Sequence, residues 1–256
     1  MPFISINSNQ IFYEEINSDS SSNDVIIFLH EALGSVAQWR SFPEELCNKL
    51  GYKGIVYERL GYGKSDPNPD IRTERYLENA ALEELPEIIN SLISEDDNIH
   101  LVGHSDGGSI ALVYGNNDER IKSITTMAAH IFVEDVTLEG IHPAIEAYNQ
   151  GKLIGLTKYH GDKTEKLFFD WAHTWLADFY LDWNIEKYLK DIVCPVFAIQ
   201  GEDDQYGTVI QVEGIVNQVG GASFKLMIPD CGHAPHLEKK DTVVNEIATF
   251  IKSVEK

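Results

Sequence analysis

The chain has 256 residues, 43% of them hydrophobic, enough for one substantial packed domain and with no need for a second. Its 41 acidic residues against 20 basic ones give a formal net charge of -21, which argues against binding nucleic acid or an anionic membrane. The acidic residues are dispersed, as in Glu44-Glu45, Glu83-Glu84 and Asp96-Asp97, and read as a solvated surface.

In chain order, the alternating segments Phe3 to Ile6 and Ile11 to Ile16 predict antiparallel strands joined through Asn7-Ser8-Asn9, followed by a polar loop from Asp19 to Asp24. Strands and helices then alternate. Val25 to Leu29, Ile55 to Tyr57, Ile99 to Val102 and Ile121 to Ala128 read as strands, and Trp39 to Leu50, Tyr76 to Ile93 and Ser105 to Gly115 as helices, with Pro86 breaking or kinking the second. This alternation predicts an α/β fold, a mainly parallel sheet with helices on both faces. It lapses until Cys194, through a stretch containing Phe168, Phe169, Trp171, Trp175, Tyr180 and Trp183, which looks like a helical cap. Strands Val196 to Ile199 and Phe224 to Ile228 follow. The final helix places Val243, Ile247, Phe250 or Ile251, and Val254 at helical spacing, a packing face. The expected organisation is therefore a core over 1–130 and 193–256, interrupted by a cap at 131–192.

Cys47, Cys194 and Cys231 are odd in number and scattered, which disfavours a disulfide framework or a zinc site and fits a reducing compartment. Met1-Pro2-Phe3-Ile4-Ser5-Ile6 lacks the basic segment and apolar core of a secretory signal, and no apolar run approaches membrane-spanning length. The expectation is a soluble cytoplasmic protein.

The chemistry-bearing stretch is Gly103-His104-Ser105-Asp106-Gly107, between a predicted strand and a predicted helix. A strand turning abruptly into a helix strains the backbone at the serine, and only minimal side chains clear the flanking positions. The helix then aims its N-terminal N–H groups at charge developing on a substrate. A serine hydroxyl needs a base, and a histidine suits that task; a carboxylate fixes the imidazole tautomer and stabilises the imidazolium. Among the nine histidines, His233 stands in a Gly- and Pro-bounded loop after a strand, where a side chain reaches the strand tips. His236, three residues on, reads as a non-ligand, since Pro235 disrupts helical pairing with His233 and no clustered spacing of cysteines or carboxylates completes a metal site.

Five separated segments, in order, resemble the α/β-hydrolase superfamily, specifically its carboxylesterase-like members with a serine nucleophile and a helical cap. His30-Glu31-Ala32-Leu33-Gly34-Ser35 looks like its His-Gly-x-x-Gly-Ser oxyanion loop, and Arg59-Leu60-Gly61-Tyr62-Gly63-Lys64-Ser65 is similar to its Arg-x-Gly-x-Gly-x-Ser turn. The serine elbow follows. Gly201-Glu202-Asp203-Asp204 matches its acid turn, and Gly232-His233-Ala234-Pro235 its histidine loop. The resemblance implies an eight-stranded sheet and a Ser105-Asp204-His233 triad, with the acid on the third residue after Gly201 rather than on Asp203 or Glu202. It also implies an oxyanion hole formed by the backbone N–H groups of Ala32 and Asp106. Glu31 stands where the family has glycine, so either the backbone there avoids positive φ or it is strained; the carboxylate reads as loop-stabilising. Glu31, His104, Trp171 and Trp175 are candidates for lining the pocket.

The expected activity is hydrolysis of a small to medium carboxylic ester through an acyl-enzyme on Ser105, without cofactor or metal. The same triad serves carbon-carbon bond hydrolases, thioesterases and acyltransferases, and the frame also serves non-enzymatic ligand-binding homologues. Acyl-chain length and oligomeric state are not legible in the residues.

Overall fold

Eight strands form one sheet in the computed structural model, which describes residues 2–254; Met1, Glu255 and Lys256 lie outside the described residues. They are β1 (Phe3–Ile6), β2 (Asn9–Ile16), β3 (Asp24–Leu29), β4 (Lys53–Tyr57), β5 (Asn98–His104), β6 (Ile121–Met127), β7 (Val196–Gly201) and β8 (Ser223–Ile228). Their spatial order is β1-β2-β4-β3-β5-β6-β7-β8. β1 and β2 pair antiparallel around Asn7 and Ser8, whose φ values of 48° and 70° make the left-handed turn that suits strand twist. Asn9, expected in the turn, already belongs to β2. β2 runs antiparallel to β4, and every later pairing is parallel.

Parallel strands buried on both faces need apolar residues at odd and even positions alike, and β3 shows the division. Ile26 and Phe28 pack with Phe42 and Leu46 of α1 (Phe42–Leu50) and with Val243, Ile247 and Ile251 of the final helix. Val25, Ile27 and Leu29 face the opposite layer, with Leu77, Ile88 and Ile110. The helix expected from Trp39 begins only at Phe42. Val36–Trp39 is a 3-10 turn, Arg40 has φ 53°, and Pro43 in the first turn of α1 favours a fresh start there. The segment around Pro86 runs as α2 (Tyr76–Asn79), a π-helical turn (Ala80–Glu84) and α3 (Leu85–Leu92). Proline lacks an N–H and crowds the carbonyl four residues back, and the wider π turn relieves that conflict without ending the helix.

After α4 (Asp106–Tyr114) and β6, the chain enters a helical insertion of α5 (Asp135–Asn149), α6 (Thr157–His160), α7 (Thr164–Trp175) and α8 (Glu186–Leu189). Its aromatics pack mainly on one another: Tyr148 stacks on Phe168 at 4.2 Å, and Tyr180 on Trp183 at 5.4 Å. The chain closes through α9 (Val209–Gln218), α10 (Pro235–Glu238) and α11 (Lys240–Val254). No helix among the described residues is long and apolar enough to cross a membrane.

Connections leave β3 toward β4 on one side, and the chain returns to β5 on the other. At such a switch point the loops beyond the strands' carboxyl ends diverge and open a crevice. The loop after β3 carries His30 to Ser35, and the turn after β5 carries Ser105.

Candidate active site

Ser105 has φ 52° and ψ -119°, a sparsely populated conformation for a residue with a side chain, costing on the order of 1–3 kcal/mol. The surrounding glycines permit it. A Cβ on Gly103 would collide with the carbonyl of Gly107, and one on Gly107 with the carbonyl oxygen of Leu29 at the end of β3. The turn is thereby pressed against the end of β3 and the start of the loop after it, and Ser105 opens onto the crevice.

His233 Nε2 lies 3.0 Å from Ser105 Oγ, and His233 Nδ1 lies 2.8 Å and 3.0 Å from the two oxygens of Asp204. This hydrogen-bonded chain joins residues 105, 204 and 233 from the ends of three strands. Asp204 rather than Asp203 faces the imidazole: its side chain is 1% exposed, whereas Asp203 points to solvent. Burial works to raise the Asp204 pKa, but the bond and charge of His233 and the Tyr206 N–H donated at 2.9 Å outweigh it and hold the carboxylate below its ordinary value. Gly201 makes the approach feasible, since a Cβ there would strike the carbonyls of Cys231 and Gly232. Glu238 holds the other side of the histidine loop, accepting from Gly232 N at 2.8 Å and Ala234 N at 3.1 Å.

The loop after β3, the counterpart of the resembled oxyanion loop, is organised by Arg59. Its Nη2 donates to the carbonyls of His30 at 3.2 Å and Glu31 at 2.7 Å. In a trans peptide the C=O of Glu31 and the N–H of Ala32 point in opposite directions, so fixing the first turns the second outward. Ala32 and Asp106 both line the cavity beside Ser105, and neither N–H finds an acceptor among the described residues. Two free donors there could receive a developing oxyanion. Glu31 does not have a positive φ, so the glycine of the resembled loop is replaced without backbone strain.

Glu31 pairs instead with His104: Oε2 and Nδ1 are 2.5 Å apart, and His104 Nε2 donates to the carbonyl of His233 at 2.7 Å. Burial opposes both charges, yet each supports the other. Glu31 is drawn down to about 2 despite its desolvation, and His104 is raised above its ordinary value despite its own. His104 therefore does not line the pocket as expected; it sits behind it, 2% exposed, bracing the histidine loop. His236 packs on His104 at 4.5 Å between ring centres, and Glu31, His104 and His236 bring three ligand-type atoms within 4.8 Å of one another. A carboxylate does therefore accompany His236, supplied by a loop that linear spacing did not connect to it. Two ligands on a tetrahedral ion stand about 3.3 Å apart at ordinary zinc bond lengths. The 2.5 Å between Glu31 and His104 is an ion pair instead.

The cavity at Ser105 has a volume of about 160 Å³, with Glu31, Trp171 and Trp175 on its walls. The sequence reading missed His130, Tyr206, Thr137 and Ile141, which also line it. His130 follows the carboxyl end of β6, a position that could have flagged it. Its Nε2 lies 2.9 Å from the Tyr206 carbonyl, and burial together with the nearby His233 lowers its pKa.

The chain matches the Alpha/beta hydrolase family over residues 26–246. It is 25% identical over 92% of its length, and over 84% of the relative, to a (R)-3-hydroxydecanoyl-ACP:CoA transacylase of Pseudomonas putida. A proline iminopeptidase of Lactobacillus helveticus is 31% identical across 44% of the chain, a match spanning only 36% of that relative's length. Among solved structures, an esterase from Exiguobacterium antarcticum superposes with a TM-score of 0.73 at 20% identity, covering 98% of both chains. With the serine elbow, the switch-point crevice and the family match in agreement, the chain belongs to the α/β-hydrolase family.

Proposed function

We propose that the chain hydrolyses a small to medium carboxylic ester through an acyl-enzyme on Ser105. The observation carrying this reading is the hydrogen-bonded Ser105-His233-Asp204 chain facing two unpartnered N–H groups across one cavity. His233 takes the hydroxyl proton as Ser105 Oγ attacks the carbonyl, and the Ala32 and Asp106 N–H groups receive the oxyanion. The imidazolium then protonates the leaving alcohol. Water, deprotonated by His233, attacks the acyl-enzyme, and collapse of the second tetrahedral adduct releases the acid and returns the proton to Ser105. The 131–192 insertion acts as a cap, with Trp171 and Trp175 supplying apolar wall and excluding water. A cavity of about 160 Å³ lies below the usual size of small-molecule sites and favours a short acyl group.

The test is a chain-length series of p-nitrophenyl esters with wild type and Ser105→Ala. Expected is turnover highest for short acyl chains and lost in the variant; a variant keeping most of the activity overturns the reading. Acyl transfer is the second reading, favoured by the transacylase similarity across 92% of the chain. It predicts that an added thiol or alcohol acceptor diverts the acyl group from water.

A further inference from the structure

Beside the Ser105 cavity lies a larger chamber that the hydrolytic residues do not use. Its volume is about 620 Å³, within the range of ligand sites, and its walls share no residue with the smaller cavity. Tyr76 stands at the boundary. Its hydroxyl donates to Asp106 Oδ2 at 3.1 Å and accepts from Trp175 Nε1 at 2.9 Å.

Four cationic side chains reach the chamber, and three are engaged. Arg59 holds the oxyanion-loop carbonyls, Lys163 donates to the carbonyls of Tyr62 and Ser65, and Lys166 pairs with Asp170 at 2.5 Å. Arg72 is different. Its Nη2 donates to the Tyr62 hydroxyl at 2.7 Å and its guanidinium lies 4.8 Å from the centre of the Tyr76 ring, but Nη1 is buried without an acceptor. No carboxylate among the described residues stands within ion-pairing distance of it. In a chain of net charge -21, a buried guanidinium nitrogen without a partner is anomalous, because such donors are costly unless something accepts from them.

The Tyr62 hydroxyl accepts from Arg72, so its own proton remains to donate, and no protein acceptor takes it among the described residues. Arg72 and Tyr62 both line the chamber, and each retains one donor that no protein acceptor takes among the described residues. Of the acidic groups nearby, Lys166 holds Asp170, Asp106 accepts from Tyr76 and faces Arg59, and burial pushes Glu84 up to about 7 while it accepts the Leu60 N–H; Asp70 and Glu83 also line the chamber but are exposed to solvent. The walls are mixed: Ile11, Leu60 and Leu167 supply apolar surface among polar residues, and Ile71 beside Arg72 is 89% exposed. The structure assigns to this chamber an organic anion, a carboxylate or phosphate monoester with an apolar body, whose oxyanion accepts from Arg72 Nη1 and the Tyr62 hydroxyl.

Calorimetric titration of benzoate, hexanoate and phenyl phosphate into the Ser105→Ala protein tests the assignment independently of turnover. Expected is saturable one-to-one binding of at least one probe, weakened at least about tenfold by Arg72→Gln and several-fold by Tyr62→Phe, and unchanged by Lys122→Gln on the exposed surface. Preference for the carboxylates or for the phosphate identifies the oxyanion. Arg72→Lys keeps the charge but loses the planar fork, so it should bind more weakly than wild type even if Arg72→Gln fails to fold. No saturable binding into the tens of millimolar, or undiminished binding in folded Arg72→Lys and Tyr62→Phe, overturns the assignment. Ester turnover with no anion binding would overturn this inference alone.

Discussion

Two histidine-carboxylate pairs lie in the same site and differ in what they address. His233 with Asp204 faces Ser105 Oγ at 3.0 Å, whereas His104 with Glu31 faces the carbonyl of His233 itself at 2.7 Å. In the proposed mechanism the first pair is the reacting one, its Nε2 taking the proton of Ser105. In the second, the nitrogen facing the carbonyl must donate, so that imidazole anchors a loop and exchanges nothing with substrate. Under that proposal, like chemistry yields a reacting pair or a bracing pair according to the third group.

Replacing the reacting pair's acid should break the comparison most visibly. Asp204→Asn is expected to lower kcat on a p-nitrophenyl ester by about ten-thousandfold, because the imidazole loses its tautomer and its counter-charge. Glu31→Gln should cost less than about tenfold, as its direct partner is His104, which braces the loop of His233. Equal losses would mean both pairs take part in proton transfer. Between these lies Arg59→Lys, which loses the fork that turns the Ala32 N–H outward; kcat should fall about a hundredfold or more with KM little changed.

Stability sharpens the contrast. The Glu31 pKa is depressed to about 2 from 4.5, so its contribution is present above 4.5 and lost as pH falls toward about 2. The His104 pKa is raised above 6.5, so its contribution is present below 6.5 and lost as pH rises through the folded value. The Tm difference between wild type and Glu31→Gln should therefore peak between about pH 4.5 and 6.5 and shrink on either side, as followed by thermal denaturation. Glu84 has the opposite sign. With its folded pKa raised to about 7 from 4.5, its ionised form is the costly one, so Glu84→Gln should raise Tm above pH 7 and change little at pH 5.

The juxtaposition of His233 with Asp204 was legible in the sequence and that of Glu31 with His104 was not, for a physical reason. Ser105, Asp204 and His233 each end a strand in a turn whose glycines are demanded by close backbone approach, as Gly107 against Leu29 and Gly201 against Cys231 show. Such requirements leave a local signature. Glu31 and His104 meet only because β3 and β5 are neighbours, and nothing near either residue announces the other. Arg72 likewise reaches its chamber only through the fold, whereas the place of His130 just after β6 was a signal left unread. The parallel sheet was readable from alternating elements, while the helix start at Phe42 and the π turn before Pro86 depended on local sterics that periodicity does not register.

The most direct test is labelling with a fluorophosphonate, followed by peptide mass analysis. The account predicts a single adduct on Ser105, formed far more slowly in Asp204→Asn and only modestly more slowly in Glu31→Gln. An adduct on another residue, or labelling of Ser105 at an undiminished rate in Asp204→Asn, would contradict it.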